Sequence, residues 1–313
     1  MAIFAPMKRI IIILSMMLGA VCANAQVKSL YAEARLGYQE GFVADYVNVY
    51  LEGNIIPNLS YCWRQRFNKA FYNPTIPLNS ADLLYIQWDI TPKIGLQGGK
   101  IAVSVGGYEY DAAPIDLYYW DAFAGGLADV YALGGNFIFR PNPNQTLMLQ
   151  VSQSLLGFGY KDVLHAAIVW YGHIAPWWKT IYTLNWMDNP THVGLGIIGL
   201  GNRFEAGPFA LELDFQYRTP LRYLAADYSA IAKVELSFPY VTVFTKGGYT
   251  YNWDCPIDAM PERYSFIYGG GGVEVFPIKN SKDLRIHAVG WWNTDVRRAI
   301  VALGLTYRFR FIK

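Results

Sequence analysis

The chain has 313 residues, of which 53% are hydrophobic, 16% aromatic and only 16% charged, with a formal net charge of +2. A charged fraction this far below the quarter or so usual for soluble domains leaves much apolar surface to hide, and so even a balance argues against a nucleic-acid binder, which would need a strong basic patch. Three cysteines, and four histidines without a metal-ligand spacing, supply neither a disulfide framework nor a zinc site, and no cofactor is implied.

Residues 1–25 carry a basic pair, Lys8 and Arg9, an apolar run from Ile10 to about Val21, and then Ala23-Asn24-Ala25. This is the pattern of a secretory signal peptide cleaved after Ala25. The apolar run is shorter than the roughly 20 residues of a membrane-spanning helix. A lipoprotein reading through Cys22 is weakened by Val21, where a small residue is wanted. The remaining domain, 26–313, retains Cys62 and Cys255, which either pair in an oxidising periplasm or stay as free thiols. Their places, mid-strand and in a loop, favour free thiols.

From residue 26 on, side-chain character alternates with a period of two, the signature of strands with one apolar face. Sixteen strands are predicted, near 29–38, 43–53, 58–67, 82–91, 93–105, 129–140, 145–153, 164–173, 178–187, 192–203, 209–218, 229–238, 240–251, 265–276, 283–293 and 298–311. In 209–218, Phe209, Leu211, Leu213, Phe215 and Tyr217 oppose Ala210, Glu212, Asp214, Gln216 and Arg218. In 301–311 the pattern is as clear, with Val301, Leu303, Leu305, Tyr307, Phe309 and Phe311 opposing Thr306, Arg308 and Arg310.

Every other connection is short and contains proline: NIIPN, TPK, RPNPNQ, APWWK, EAGP, FPY and FPIKNSKD. Proline fixes φ and cannot donate to a ladder, so it marks tight reversals. The intervening connections are mostly longer, and short turns alternating with long loops are what an outer-membrane barrel shows. Both chain ends then fall on the short-turn side.

The fold implied is all-β: a transmembrane, antiparallel, up-and-down β-barrel of about 16 strands, closed because open edges cannot be left in hydrocarbon. The localisation implied is the outer membrane of a Gram-negative bacterium, with a lipid bilayer as partner. Trp63, Trp88, Trp170, Trp177, Trp178, Trp186, Trp291 and Trp292 are candidates for interfacial girdles.

If apolar side chains face lipid, their neighbours face inward. That inward set holds Glu33, Gln87, Asp89, Gln150, Glu212, Asp214, Gln216, Glu235, Lys246, Glu274, Arg285 and His287. It also holds the lumen-wall cations Arg35, Arg64, Arg66, Arg140, Lys233, Arg308 and Arg310. A barrel of this size leaves an aqueous channel, and so many charges could not be buried dry. Water is therefore expected to fill it. The longest connection, GGYEYDAAPIDLYYWDAFAGGLAD at 106–129, is the third outer loop and is expected to fold into the lumen. Its acids Glu109, Asp111, Asp116 and Asp121 would form a constriction, set against Arg35, Arg64, Arg66, Arg308 or Arg310 across a transverse field.

The run GGKIAVSVGGYEYDAAPIDLYYWDAF (98–123), the glycine-rich strand after it and the closing LGLTYRFRF together resemble the phosphate-selective porin O and P family in its broad sense. The resemblance implies a homotrimeric porin with a basic lumen, through which small hydrophilic solutes or ions diffuse passively. The chain departs from the anion-selective members in lacking a dense ladder of lysines or arginines, and in carrying acids on its third loop.

Two other readings compete. An outer-membrane hydrolase would need a nucleophile beside His165, His173, His192 or His287, and no motif singles one out, so an enzyme is not expected. A non-conducting barrel, acting as scaffold or subunit of a larger envelope complex, would have the same pattern. GGGG at 269–272 lies within a strand and, with no helix after it, is no phosphate-binding loop.

Overall fold

The computed structural model describes residues 26–312 except 72, 74, 75, 77, 128, 158–161, 191–193, 221–226, 254–262 and 280. The predicted signal peptide, Cys22, Cys255 and His192 lie outside the described residues.

Sixteen strands close into one antiparallel barrel, each paired with its neighbours in chain order and β16 paired with β1. They are β1 Gln26–Tyr38, β2 Phe42–Ile56, β3 Leu59–Arg66, β4 Ala81–Asp89, β5 Ile94–Ala102, β6 Tyr131–Asn142, β7 Gln145–Gln153 and β8 Leu164–Ala175. The second half comprises β9 Trp178–Met187, β10 Leu195–Ala206, β11 Phe209–Pro220, β12 Asp227–Ser237, β13 Val241–Asn252, β14 Tyr264–Val275, β15 Leu284–Asn293 and β16 Ile300–Ile312. Closure removes the unpaired edge that any open sheet would present. At the seam Glu33 stands opposite Arg308 in register, and the two form an ion pair of 2.9 Å.

Alternation decides which side of each strand is hidden. Along β16, Val301, Leu303, Leu305, Tyr307, Phe309 and Phe311 are 38–59% exposed, whereas Thr306 is 3% exposed. Along β11, Phe209, Leu213 and Phe215 are exposed, while Ala210, Asp214, Gln216 and Arg218 are buried. The outer face of a closed barrel has no partner within the chain, so its apolar side chains stay open; the inner face encloses the polar ones. An apolar outer surface is the opposite of what water favours.

One end of the barrel carries the short connections 57–58, 90–93, 143–144, 176–177, 207–208, 238–240 and 276–283. In the β10–β11 turn Gly207 takes a φ of +58°, a conformation glycine adopts without a Cβ penalty. The other end carries 39–41, 67–80, 103–130, 154–163, 188–194, 221–226, 253–263 and 294–299, of which 103–130 is the longest.

Three features depart from the sequence reading. β5 stops at Ala102 rather than running to 105, because Val103 and Val105 turn into a buried apolar cluster with Phe123, Met187 and Ile197. The interior is not polar throughout. On β6 to β9 the inner residues Ile138, Met148, Val169 and Ile181 form a buried apolar cluster that Tyr108 and Tyr171 pack against. Trp291 does not belong to a girdle. It is buried and stacks on Tyr119 with centroids 5.6 Å apart. Trp88, Trp177, Trp186 and Trp292 remain exposed. The 269–272 glycines lie within β14, as expected.

Candidate functional site

The connection between β5 and β6 is structured. It holds a helical turn at Tyr108–Asp111, a 3-10 turn at Pro114–Asp116 and a second helical turn at Ala122–Gly126. Local chemistry accounts for each. Pro114 opens the 3-10 turn, where its fixed φ suits the first position. Asp121 caps the second helical turn by accepting the Ala124 N–H at 2.7 Å.

The segment is seated on β10 and β11 by close backbone approach. A Cβ on Gly107 would lie 2.7 Å from the Gly201 Cα, and one on Gly199 would lie 2.8 Å from the Gly106 Cα. Only glycine allows this contact. Asp214 on β11 then accepts the backbone N–H groups of Tyr108 at 2.9 Å and Glu109 at 2.6 Å. Gln216 donates to the Val105 carbonyl at 2.7 Å.

Further along, the segment meets β13, β14, β15 and β1. Lys246 donates to both carboxylate oxygens of Glu109, at 2.9 and 3.0 Å, and to the Tyr119 carbonyl. Its ammonium also lies 4.5 Å from the centre of the Tyr119 ring. Burial pushes the Glu109 carboxyl above its ordinary value, with the Lys246 charge opposing the rise. Tyr118 donates to Glu274 at 2.6 Å. Arg285 pairs with Asp116 at 2.7 Å, and Arg35 donates to the carbonyls of Ile115 and Leu117 at 3.0 and 2.6 Å. On the opposite side, Tyr171 of β8 donates to Asp111 at 2.9 Å. Asp121 accepts from the Tyr110 hydroxyl.

The four loop acids named from the sequence thus sit on one segment, each with a partner. Those partners are not the five arginines named with them. Arg35 pairs with Asp45 at 3.1 Å, Arg64 and Arg66 with Asp82 at 3.5 and 2.7 Å, Arg308 with Glu33, and Arg310 with Asp283 at 2.8 Å. Of the other two lumen-wall cations, Arg140 pairs with Asp89 at 3.1 Å and Lys233 with Glu235 at 3.2 Å. Lys246, Arg285 and Asp214 were legible as inward-facing residues, but their role as anchors was not. Lys246 and Glu109 are 137 positions apart, and no local spacing announces such a contact. The paired glycines 106–107 and 199/201 were the available signal.

Among the described residues, cavities flank the segment on both sides. One of about 320 Å³ is lined by Asp116, Lys246, Glu274, Arg285, Arg308 and Lys282, among others. Two more, of about 210 and 340 Å³, lie towards β2 to β8. Among the described residues no group of His, Cys, Asp and Glu could hold a metal. Cys62 is a buried free thiol. His165 bonds Ser152 at 3.1 Å and Asn185 at 2.9 Å, which accounts for it as a satisfied interior side chain.

No protein-family model and no curated protein matches this sequence. Solved structures do match. A porin structure refined at 1.8 Å aligns over 91% of this chain and 100% of its own, with a TM-score of 0.60 and 14% identity. A triple variant of the Rhodopseudomonas blastica porin aligns over 92% of this chain and 100% of its own, with a TM-score of 0.55 and 11% identity. Another variant of that porin gives a TM-score of 0.56 at 9% identity over the same shares. At such identities the likeness is one of fold.

Proposed function

We propose that the chain is a porin of the Gram-negative outer membrane, passing small hydrophilic solutes by passive diffusion through a water-containing barrel. The observation that carries this reading is the inverted surface: a closed sixteen-strand barrel with open apolar side chains outside and charged ones inside. Such a shell is stable in hydrocarbon and costly in water. Residues 1–25 act as the export signal and are removed.

In this reading the 103–130 segment folds into the lumen and sets its narrowest part. Its bonds to inward side chains of β1, β8, β11, β13, β14 and β15 support that placement. The lumen is polar but nearly balanced, because the interior cations named above each have a carboxylate partner. Compensated charges exert little net field beyond about a Debye length. The pore therefore selects weakly between anions and cations, unlike the basic lumen that the phosphate-selective resemblance implies. The outer face leaves apolar area for a homotrimer, which cross-linking in native membranes would reveal.

The buried apolar clusters within the barrel favour a second reading, a plugged scaffold. Liposome swelling separates the two. Vesicles containing the folded protein should swell in isotonic solutions of small sugars and amino acids. Folded, inserted protein that produces no swelling would overturn the pore in favour of the scaffold.

A further inference from the structure

The seated segment divides the interior unevenly. On one side its bonds to β11, β13, β14 and β15 leave the cavity of about 320 Å³ between the segment and the wall. On the other, the cavities of about 210 and 340 Å³ share Trp120, Ala124, Val130 and Tyr131 in their linings, so they adjoin at Trp120.

Trp120 differs from most aromatic residues of the segment. Tyr110 packs edge-on against Phe123, Tyr118 stacks on Phe244, and Tyr119 stacks on Trp291. Among the described residues no ring packs on Trp120, which stays half-buried. Burying a large indole is normally favourable, and this one is left half-open where it lines both cavities.

The surroundings narrow the chemistry. Arg64 lies over the Tyr131 ring at 4.9 Å and Arg66 over Tyr46 at 4.8 Å, and both share Asp82. Lys69 pairs with Asp129 at 2.7 Å. Arg64 Nε lies 3.5 Å from Asp82 Oδ2, so the charges beside the cavities are already paired. An anion entering here would have to displace a carboxylate, and a cation would have to displace a guanidinium. A neutral polyhydroxylated solute meets no such competition. Its C–H face can lie on the indole, and its hydroxyls can both donate and accept.

We infer that Trp120 is a specificity-determining residue of the pore and that the two cavities beside it bind neutral sugars in passage. This rests on the pore reading above and deepens it.

The test is single-channel recording in planar bilayers, with maltotriose as the probe. The wild-type protein should show sugar-dependent interruptions of current. Trp120→Ala should weaken the apparent affinity, scored against its own open current, by about tenfold or more, the loss expected of an aromatic platform. Trp120→Phe should retain most of it. Trp177→Ala, in the β8–β9 turn, should leave conductance and interruption unchanged. Current that tens of millimolar maltotriose does not interrupt would overturn the inference while leaving the pore intact. Equal interruption in Trp120→Ala, or interruption by phosphate but not by sugar, would do the same. If correctly folded protein passes no current at all, the pore reading fails and takes the inference with it.

Discussion

Lys246 offers the sharpest perturbation. Its side chain is 4% exposed and that of its partner Glu109 is 3% exposed, so Lys246→Met would strand a carboxylate away from water. Breaking a buried pair by removing one partner costs about 3–5 kcal/mol. A second route to the magnitude agrees with it. The stranded carboxyl can relax by binding a proton, and at pH 7, about 2.7 units above the ordinary glutamate value, that costs at most about 3.7 kcal/mol.

The sign of the pH dependence follows. Glu109 is already held above its ordinary value by burial, and losing Lys246 raises it further. A carboxyl whose folded value is raised contributes its stability below the unfolded value and loses it as pH rises through the folded one. The deficit of Lys246→Met against wild type should therefore shrink by about 1.4 kcal/mol per unit as pH falls from 7 towards the raised value at which Glu109 titrates in the wild-type protein. The double variant Glu109→Gln/Lys246→Met should regain most of the loss and show no such slope. Urea unfolding in liposomes, followed by tryptophan fluorescence, measures all three. A single-variant deficit below about 1 kcal/mol at pH 7, or one independent of pH, would refute the reasoning.

Other outcomes follow from the same geometry. Leu213, exposed near the middle of β11, should cost about 2–4 kcal/mol when replaced by Arg if that face meets lipid, and close to nothing if it meets water; equilibrium folding into bilayers reads the difference. Gly201→Ala would place a Cβ 2.7 Å from the Gly107 Cα. It should lift the segment, lower the single-channel conductance and cost about 1–3 kcal/mol, whereas Gly98→Ala, with nothing within 4 Å, should leave conductance at the wild-type level.

Much of the barrel was legible in the sequence because its two strongest signals are local. β7 and β9 coincide with their predicted ranges, 145–153 and 178–187, since clear alternation there begins at proline-bearing turns. β6 instead runs on through Pro141 to Asn142. Its pairing with β7 breaks register between Phe139 and Asn142, which is how a residue without an N–H is accommodated in a ladder. Val103, Ser104 and Val105 continue the alternation of β5 and read as strand. They leave it because burial against Phe123 and Ile197 outweighs the pattern. Trp291 could not be assigned a face by composition alone, since an indole suits both an interface and an interior stack. The anchoring pairs were least legible: Asp214 with 108–109, Lys246 with Glu109 and Arg285 with Asp116 join residues far apart in sequence, brought together only by closure of the barrel.

The most direct test of the whole account is electrical. Detergent-folded protein added to a planar bilayer should give stepwise currents that scale with salt concentration, with a reversal potential near zero in a salt gradient because the lumen charges are paired. Absence of any step from protein shown to be folded and inserted would contradict a water-filled path through the barrel.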